Sequence, residues 1–171
     1  HLDKFRRVHA AVDNSTFAVC GYPLEYIRCL QNNVKKESIV VFPHRLNPDK
    51  APHVFDAIRD YVHDELHRKD ILFFKTQERD LSKDEYYSSL KRCKVVFSAN
   101  KHENLGIGTF EAMTAGCIPL VPDKLSYAEM YPTEFKYDCP DSIYDLDPAV
   151  ISSLALKIVH MIDHYHDLDP L

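Results

Sequence analysis

Short apolar runs alternate with stretches of helical periodicity along the 171 residues. Ser38–Pro43 (SIVVFP) is β-branched and almost continuously apolar, the pattern of a strand covered on both faces. Asp70–Lys75 (DILFFK), Lys94–Ala99 (KVVFSA) and Cys117–Val121 (CIPLV) repeat it, and Thr16–Cys20 (TFAVC) adds a strand that ends at Gly21. Pro119 cannot donate to a ladder, so its strand is predicted to be short or at a sheet edge. From Pro52 the period changes. Val54, Phe55, Ile58, Tyr61, Val62 and Leu66 recur at helical spacing, with Asp56, Arg59, Asp60 and Asp64 directed outward. Ser82-Lys-Asp-Glu85 is a capping box that opens a helix running to about Cys93. Thr109–Ala115 reads as a short helix closed by Gly116, and Ser126–Tyr131 as a smaller one. Asp147-Pro148 caps a last helix whose Val150, Ile151, Leu154, Ile158, Met161 and Ile162 form an apolar stripe. The alternation predicts an α/β fold, a Rossmann-like parallel sheet with helices on both faces. No repeat, linker or low-complexity tract divides it, so residues 1–171 are read as one domain.

Composition narrows the class. Lys and Arg number 21 against 26 Asp and Glu, a formal net charge of −5, which disfavours a protein that wraps nucleic acid electrostatically. The hydrophobic share, 45%, excludes a disordered chain. Five cysteines, an odd number without a CxxC pair, read as reduced thiols and place the protein in the cytoplasm. No apolar run approaches the ~20 residues of a membrane span. The start at His1 and a helical pattern over Leu2–Val12, within a linker at residues 1–15, suggest a piece of a longer protein. Only four glycines occur, and three of them, Gly106, Gly108 and Gly116, crowd one segment.

In parallel sheets ligands bind beyond the C-terminal strand ends. The loops after Pro43, Lys75, Ala99 and Val121 are therefore where function is sought. After Pro43 the sequence His44-Arg45-Leu46-Asn47-Pro48-Asp49-Lys50 puts two cations just before a helix, a setting that suits phosphate oxygens; a solvated loop is the plainer reading. After Ala99 comes Asn100-Lys-His-Glu-Asn-Leu-Gly-Ile-Gly-Thr-Phe-Glu111. Gly106 and Gly108 there let backbone N–H groups approach a ligand without a Cβ in the way. Glu103 on the loop and Glu111 in the helix offer carboxylates that each accept two hydrogen bonds, as vicinal sugar hydroxyls require.

Other motifs fit less well. GIGTFE has Glu111 where a dinucleotide fingerprint has its third glycine, and no Gly-Lys-Ser/Thr of a Walker loop occurs. His63-Asp-Glu-Leu-His67 has the spacing of a metal pair but lacks Glu directly after the first His, so it reads as a solvated helix face. His160, His164 and His166 read the same way. No nucleophile elbow is present, and Cys93 and Cys117 read as packing residues.

Together the loops resemble the donor-binding half of the two-domain GT-B glycosyltransferases of the retaining family-4 type. Arg45 and Lys50 match that family's Arg-x4-Lys pattern, Glu103 and Glu111 its Glu-x7-Glu pattern, and ENLGIGTFEAMTAG its Gly-containing loop and helix. The likeness covers about Phe17 to Leu156. FPHRLNPDKAP, SANKHENLGIGTFEAM and GCIPLVPDKLSYAEMYP resemble the tRNA-queuosine mannosyltransferase branch of the family. The resemblance implies a C-terminal domain that holds a GDP- or UDP-sugar without metal or further cofactor. Arg45, Lys50 and backbone N–H groups near Gly106 to Gly108 would hold the diphosphate, within a donor loop of Asn104, Leu105, Gly106, Ile107 and Gly108. Glu111 would bind the ribose hydroxyls and Glu103 those of the transferred sugar, with Glu103, Arg45 and Lys50 as the catalytic set. Glycosidic cleavage leaves negative charge on the departing phosphate, which preorganised cations stabilise. The acceptor (tRNA, a glycan or a lipid) would be bound mainly by an N-terminal domain, so the chain alone would be inactive.

The sequence departs from the family between Lys75 and Ser82, where a further βα unit is usual; a segment missing from the chain is expected there, because loss of an internal strand would disrupt the sheet. Two other functions remain open on the residues alone. One is a non-catalytic Rossmann-like binding module; the other is a nicotinamide-dependent oxidoreductase domain, which the absent third glycine argues against.

Overall fold

The computed structural model describes residues 34–168. The predicted helix at Leu2–Val12, the strand at Thr16–Cys20, and Cys20, Gly21 and Cys29 lie outside them. Five parallel strands, β1 (Glu37–Phe42), β2 (Leu72–Lys75), β3 (Cys93–Phe97), β4 (Ile118–Pro122) and β5 (Lys136–Tyr137), pair in the order β2-β1-β3-β4-β5. The helices are α1 (Pro52–Asp60), α2 (Lys83–Arg92), α3 (Ile107–Thr114), α4 (Tyr127–Met130) and α5 (Pro148–Asp163). The α/β, Rossmann-like expectation holds.

The period of two along β1 assigns the two faces. Val40 and Phe42 join Val95, Phe97, Ile118 and Leu120 under α1 and α5. Ile39 and Val41 pack with Val96, Leu90 and Ala112 under α2 and α3. Both faces are covered, which is why the strands are almost uninterrupted apolar runs. In α1, Val54, Phe55 and Ile58 are buried, and a π-helical turn, Tyr61–Glu65, carries the chain on with Val62 buried. Asp56 is not simply outward: it pairs with Lys75 at 2.7 Å and with Arg59 at 2.9 Å. The Ser82 capping box forms as read, and Asp147 accepts the Ala149 amide at the start of α5.

Two strand details differ from expectation. β4 is internal, flanked by β3 and β5, although it contains Pro119. The Leu120 carbonyl accepts from Ser98 on the β3 side, so Pro119, one residue earlier, faces the other side. There β5 pairs only from Val121 onward, and the missing N–H falls where no acceptor is needed. β2 is an edge strand among the described residues and runs through a 3-10 turn, Thr76–Glu78, into α2. An added strand would therefore lie beyond the edge rather than inside the sheet, and the five strands pair without a gap.

The order of connections creates the site. β1 passes to β2 over the α1 face, whereas the return to β3 crosses the opposite face through α2. Crossovers of one hand on opposite faces leave a crevice between the C-terminal ends of β1 and β3.

Candidate functional site

The loops after β1 and β3 meet at that crevice and are tied together. The Lys101 amide donates to the Asp49 carbonyl at 2.8 Å. Lys50 Nζ donates to the His102 carbonyl and lies 3.2 Å from Glu103 Oε2. The glycines make this approach possible. Gly106 has φ 71°, and a Cβ on it would meet Tyr127 at 2.5 Å; a Cβ on Gly108 would lie 2.8 Å from the Pro43 carbonyl oxygen. The space freed by each glycine is thus filled by protein, and at Gly108 it lets α3 seat directly on the end of β1.

A cavity of about 540 Å³ opens here. Its walls come from the loop after β1 (Pro43, Arg45), the segment after β2 (Thr76 to Leu81), the first turns of α2 (Lys83, Tyr86) and the start of α3 (Gly108, Glu111). Arg45 is exposed and has no carboxylate partner among the described residues. Arg79 stacks over Phe74, its guanidinium 5.4 Å from the ring centre. Three cations, with the Asp80 carboxylate among them, therefore face the cavity beside the first-turn amides of α3, which have no intrahelical acceptor. The Thr76 hydroxyl is buried on this wall without a hydrogen-bond partner among the described residues.

Glu111 lines the same cavity from α3, 9% exposed. Tyr86 donates to its Oε2 and Tyr87 to its Oε1, each at 3.1 Å. Burial, with the Glu111 charge second, pushes the Tyr86 phenol far above its ordinary range, so it remains a donor. Glu103 sits on the other side of the loop. Its Oε1 accepts the Asn104 amide at 3.0 Å, and its Oε2 accepts Asn100 Nδ2 at 2.8 Å. Burial opposes its ionisation, but the Gly106 amide, Lys50 and the Asn104 amide outweigh that and hold its carboxyl below the ordinary value.

Beneath the loop is a buried polar hub. The Tyr127 hydroxyl lies 3.2 Å from Ser98 Oγ, from Asn100 Nδ2 and from Thr109 Oγ1. His44 borders it, edge-on to Phe42 at 5.0 Å. Burial lowers the His44 pKa to about 4, so its imidazole is neutral at neutral pH.

The predicted residues therefore divide into two groups. Arg45, Gly108 and Glu111 share the cavity, whereas Lys50 and Glu103 pair outside its wall. The Gly106 amide, expected to serve a ligand, is engaged by Glu103. Asn104 is exposed, and Leu105 and Ile107 border a small apolar recess with Phe110 and Met130. His63 departs from the solvated-face reading: it is half-buried, bonded to the Ile71 carbonyl at 2.8 Å and packed on Phe73. His67, His160, His164 and His166 are exposed. Cys93 and Cys117 are buried thiols, the latter pushed up to about 12 by burial, in keeping with packing roles. Sequence reasoning missed Arg79, Lys83, Tyr86, Tyr87, Asn100 and Tyr127 as site residues. The capping box placed α2 but did not reveal which of its side chains turn inward. Among the described residues no cluster of three His, Cys, Asp or Glu side chains is placed to hold a metal ion, and no helix is long and apolar enough to cross a membrane.

The chain is similar to parts of known proteins. A tRNA-queuosine alpha-mannosyltransferase of Drosophila melanogaster is 36% identical over 63 residues, 37% of this chain. The match spans 17% of that relative's length. Among solved structures, the catalytic domain of a cholesterol-alpha-glucosyltransferase from Helicobacter pylori is similar at TM-score 0.46 and 15% identity, over 74% of this chain and 93% of that one. Both of these proteins are glycosyltransferases. No family model matches the chain.

Proposed function

We propose that the chain is the donor-binding domain of a glycosyltransferase, taking a nucleoside-diphosphate sugar (a GDP- or UDP-hexose) for retaining transfer. The observation that carries this reading is the polarity of the cavity. Arg45, Arg79 and Lys83 lie with the α3 start, where an anion is favoured, and Glu111 lies on the wall beside them as a carboxylate with no cation partner among the described residues. A diphosphate flanked by a ribose diol complements that pair of features. The 36% identity to a mannosyltransferase supports the same class.

In this reading Arg45 meets the diphosphate in the cavity, and Lys50 adds its charge from its place beside Glu103. When the bond from sugar C1 to phosphate oxygen breaks, the electron pair leaves with the diphosphate. Cations already in place stabilise that charge most in the transition state, which removes the need for a metal. Glu103, ionised and fixed by two amides and Asn100, accepts the hydroxyls of the transferred sugar. The acceptor is held by a further, N-terminal domain, and with its thiols reduced the enzyme works in the cytoplasm. The experiment is titration calorimetry of the chain with GDP, UDP and their sugars. Weak binding without sugar transfer is expected; no binding of any of them up to millimolar concentration overturns the proposal.

A further inference from the structure

Glu111 is held in an unusual way. It is 9% exposed, yet among the described residues no Lys, Arg or His pairs with it. Among the described residues its side-chain partners are two phenols from consecutive residues of α2, one on each carboxylate oxygen, at 3.1 Å. The two rings lie 5.4 Å apart at 50°, and Lys83 sits over the Tyr87 ring at 5.6 Å. Tyr86 itself reaches the cavity wall beside Glu111.

A carboxylate has about four acceptor sites. The two phenols occupy two and fix the plane of the group, leaving one site on each oxygen. A cation in place of the phenols would neutralise Glu111 and fill several sites at once. Phenols leave the charge intact, and an intact buried charge accepts hydrogen bonds strongly. We infer that Tyr86 and Tyr87 are positioning residues that aim Glu111 at a pair of adjacent hydroxyl donors, making the site selective for ribonucleotides over deoxyribonucleotides. This rests on the nucleoside-diphosphate reading above. The same arrangement sets the ligand's direction, because an unneutralised Glu111 repels phosphate toward Arg45, Arg79 and Lys83.

The test compares GDP with 2′-deoxy-GDP, and UDP with 2′-deoxy-UDP, by titration calorimetry. The proteins are the wild type, Tyr86→Phe, Tyr87→Phe, the double variant, Glu111→Gln, and Glu111→Gln combined with each Tyr→Phe change. Phe keeps the ring and removes only the donor; melting curves check that each variant is folded. A hydrogen bond to a charged group corresponds to roughly tenfold or more in affinity. The wild type should therefore prefer the ribo form by about that factor. Each Tyr→Phe change should lower the preference several-fold while the deoxy affinity stays level. In the Glu111→Gln background the Tyr→Phe changes should no longer move the ratio, since coupled residues are non-additive. If ribo and deoxy affinities fall together, the tyrosines act only structurally and the inference is wrong. An unchanged ratio also refutes it. Failure of the wild type to bind either nucleotide overturns the functional reading itself, a separate outcome.

Discussion

Acidification probes the buried hub beneath the site. His44 is 6% exposed, and burial, offset in part by Glu103 and reinforced by Lys50, lowers its pKa from 6.5 to about 4. As pH falls, the unfolded chain binds this proton first while the native imidazole stays neutral. The contribution of neutral His44 is therefore complete above pH 6.5 and is lost as pH falls toward about 4. At about 1.4 kcal/mol per unit, the interval corresponds to about 3 kcal/mol. The assay is urea denaturation followed by circular dichroism, for wild type and His44→Gln, between about pH 7 and pH 4. His44→Gln loses packing on Phe42 at every pH, but its stability should fall less steeply. The gap between the two proteins should narrow by about 3 kcal/mol on acidification. Parallel curves would mean that the native imidazole titrates like an unfolded one, the opposite of what its burial requires.

Four other expectations can be checked separately. Arg45→Glu should weaken GDP and UDP binding at least tenfold, the order expected for losing a charged hydrogen bond, while guanosine and uridine bind as before; calorimetry reads both. Gly108→Ala places a methyl 2.8 Å from the Pro43 carbonyl, backbone that has little room to give, and should cost about 1–3 kcal/mol in denaturation. Lys50→Gln removes one of the groups that keep Glu103 ionised, so the Glu103 carboxyl should titrate at higher pH by NMR. Asp147→Ala removes the side chain that accepts the Ala149 amide at 2.9 Å and should destabilise the fold by about 1 kcal/mol.

Local signals account for what the sequence made legible. β1, β3 and β4 are apolar runs because both sheet faces are covered there, whereas β2 at the edge leaves Leu72 exposed, and α1, α2 and α5 carry a periodic stripe or a cap that marks their ends. β5 escaped notice because two residues, Lys136 and Tyr137, carry no period. Pro119 was read correctly as unable to donate, but its place depends on how far β5 extends, which is a tertiary fact. The same limit applied at the site. Arg45, Glu103, Gly108 and Glu111 stood out because charge and glycine interrupt strand–helix junctions. Tyr86, Tyr87 and Tyr127 look like ordinary amphipathic residues, and only the packing of α2 and α4 against the loop turns their hydroxyls onto Glu111 and the hub. The glycines illustrate the difference well. Their position pointed to the right loop, while the atoms that fill their empty space, Tyr127 and Pro43, belong to the protein.

The proposed function requires a nucleoside diphosphate to bind where β1 and α3 meet. Amide chemical-shift mapping of the 171-residue chain during titration with GDP, UDP and, for comparison, NAD tests it most directly. GDP or UDP should shift the amides of Arg45, Thr76, Gly108 and Glu111, with NAD unable to compete. Shifts confined to the α1–α5 face, or a stronger response to NAD, would contradict it.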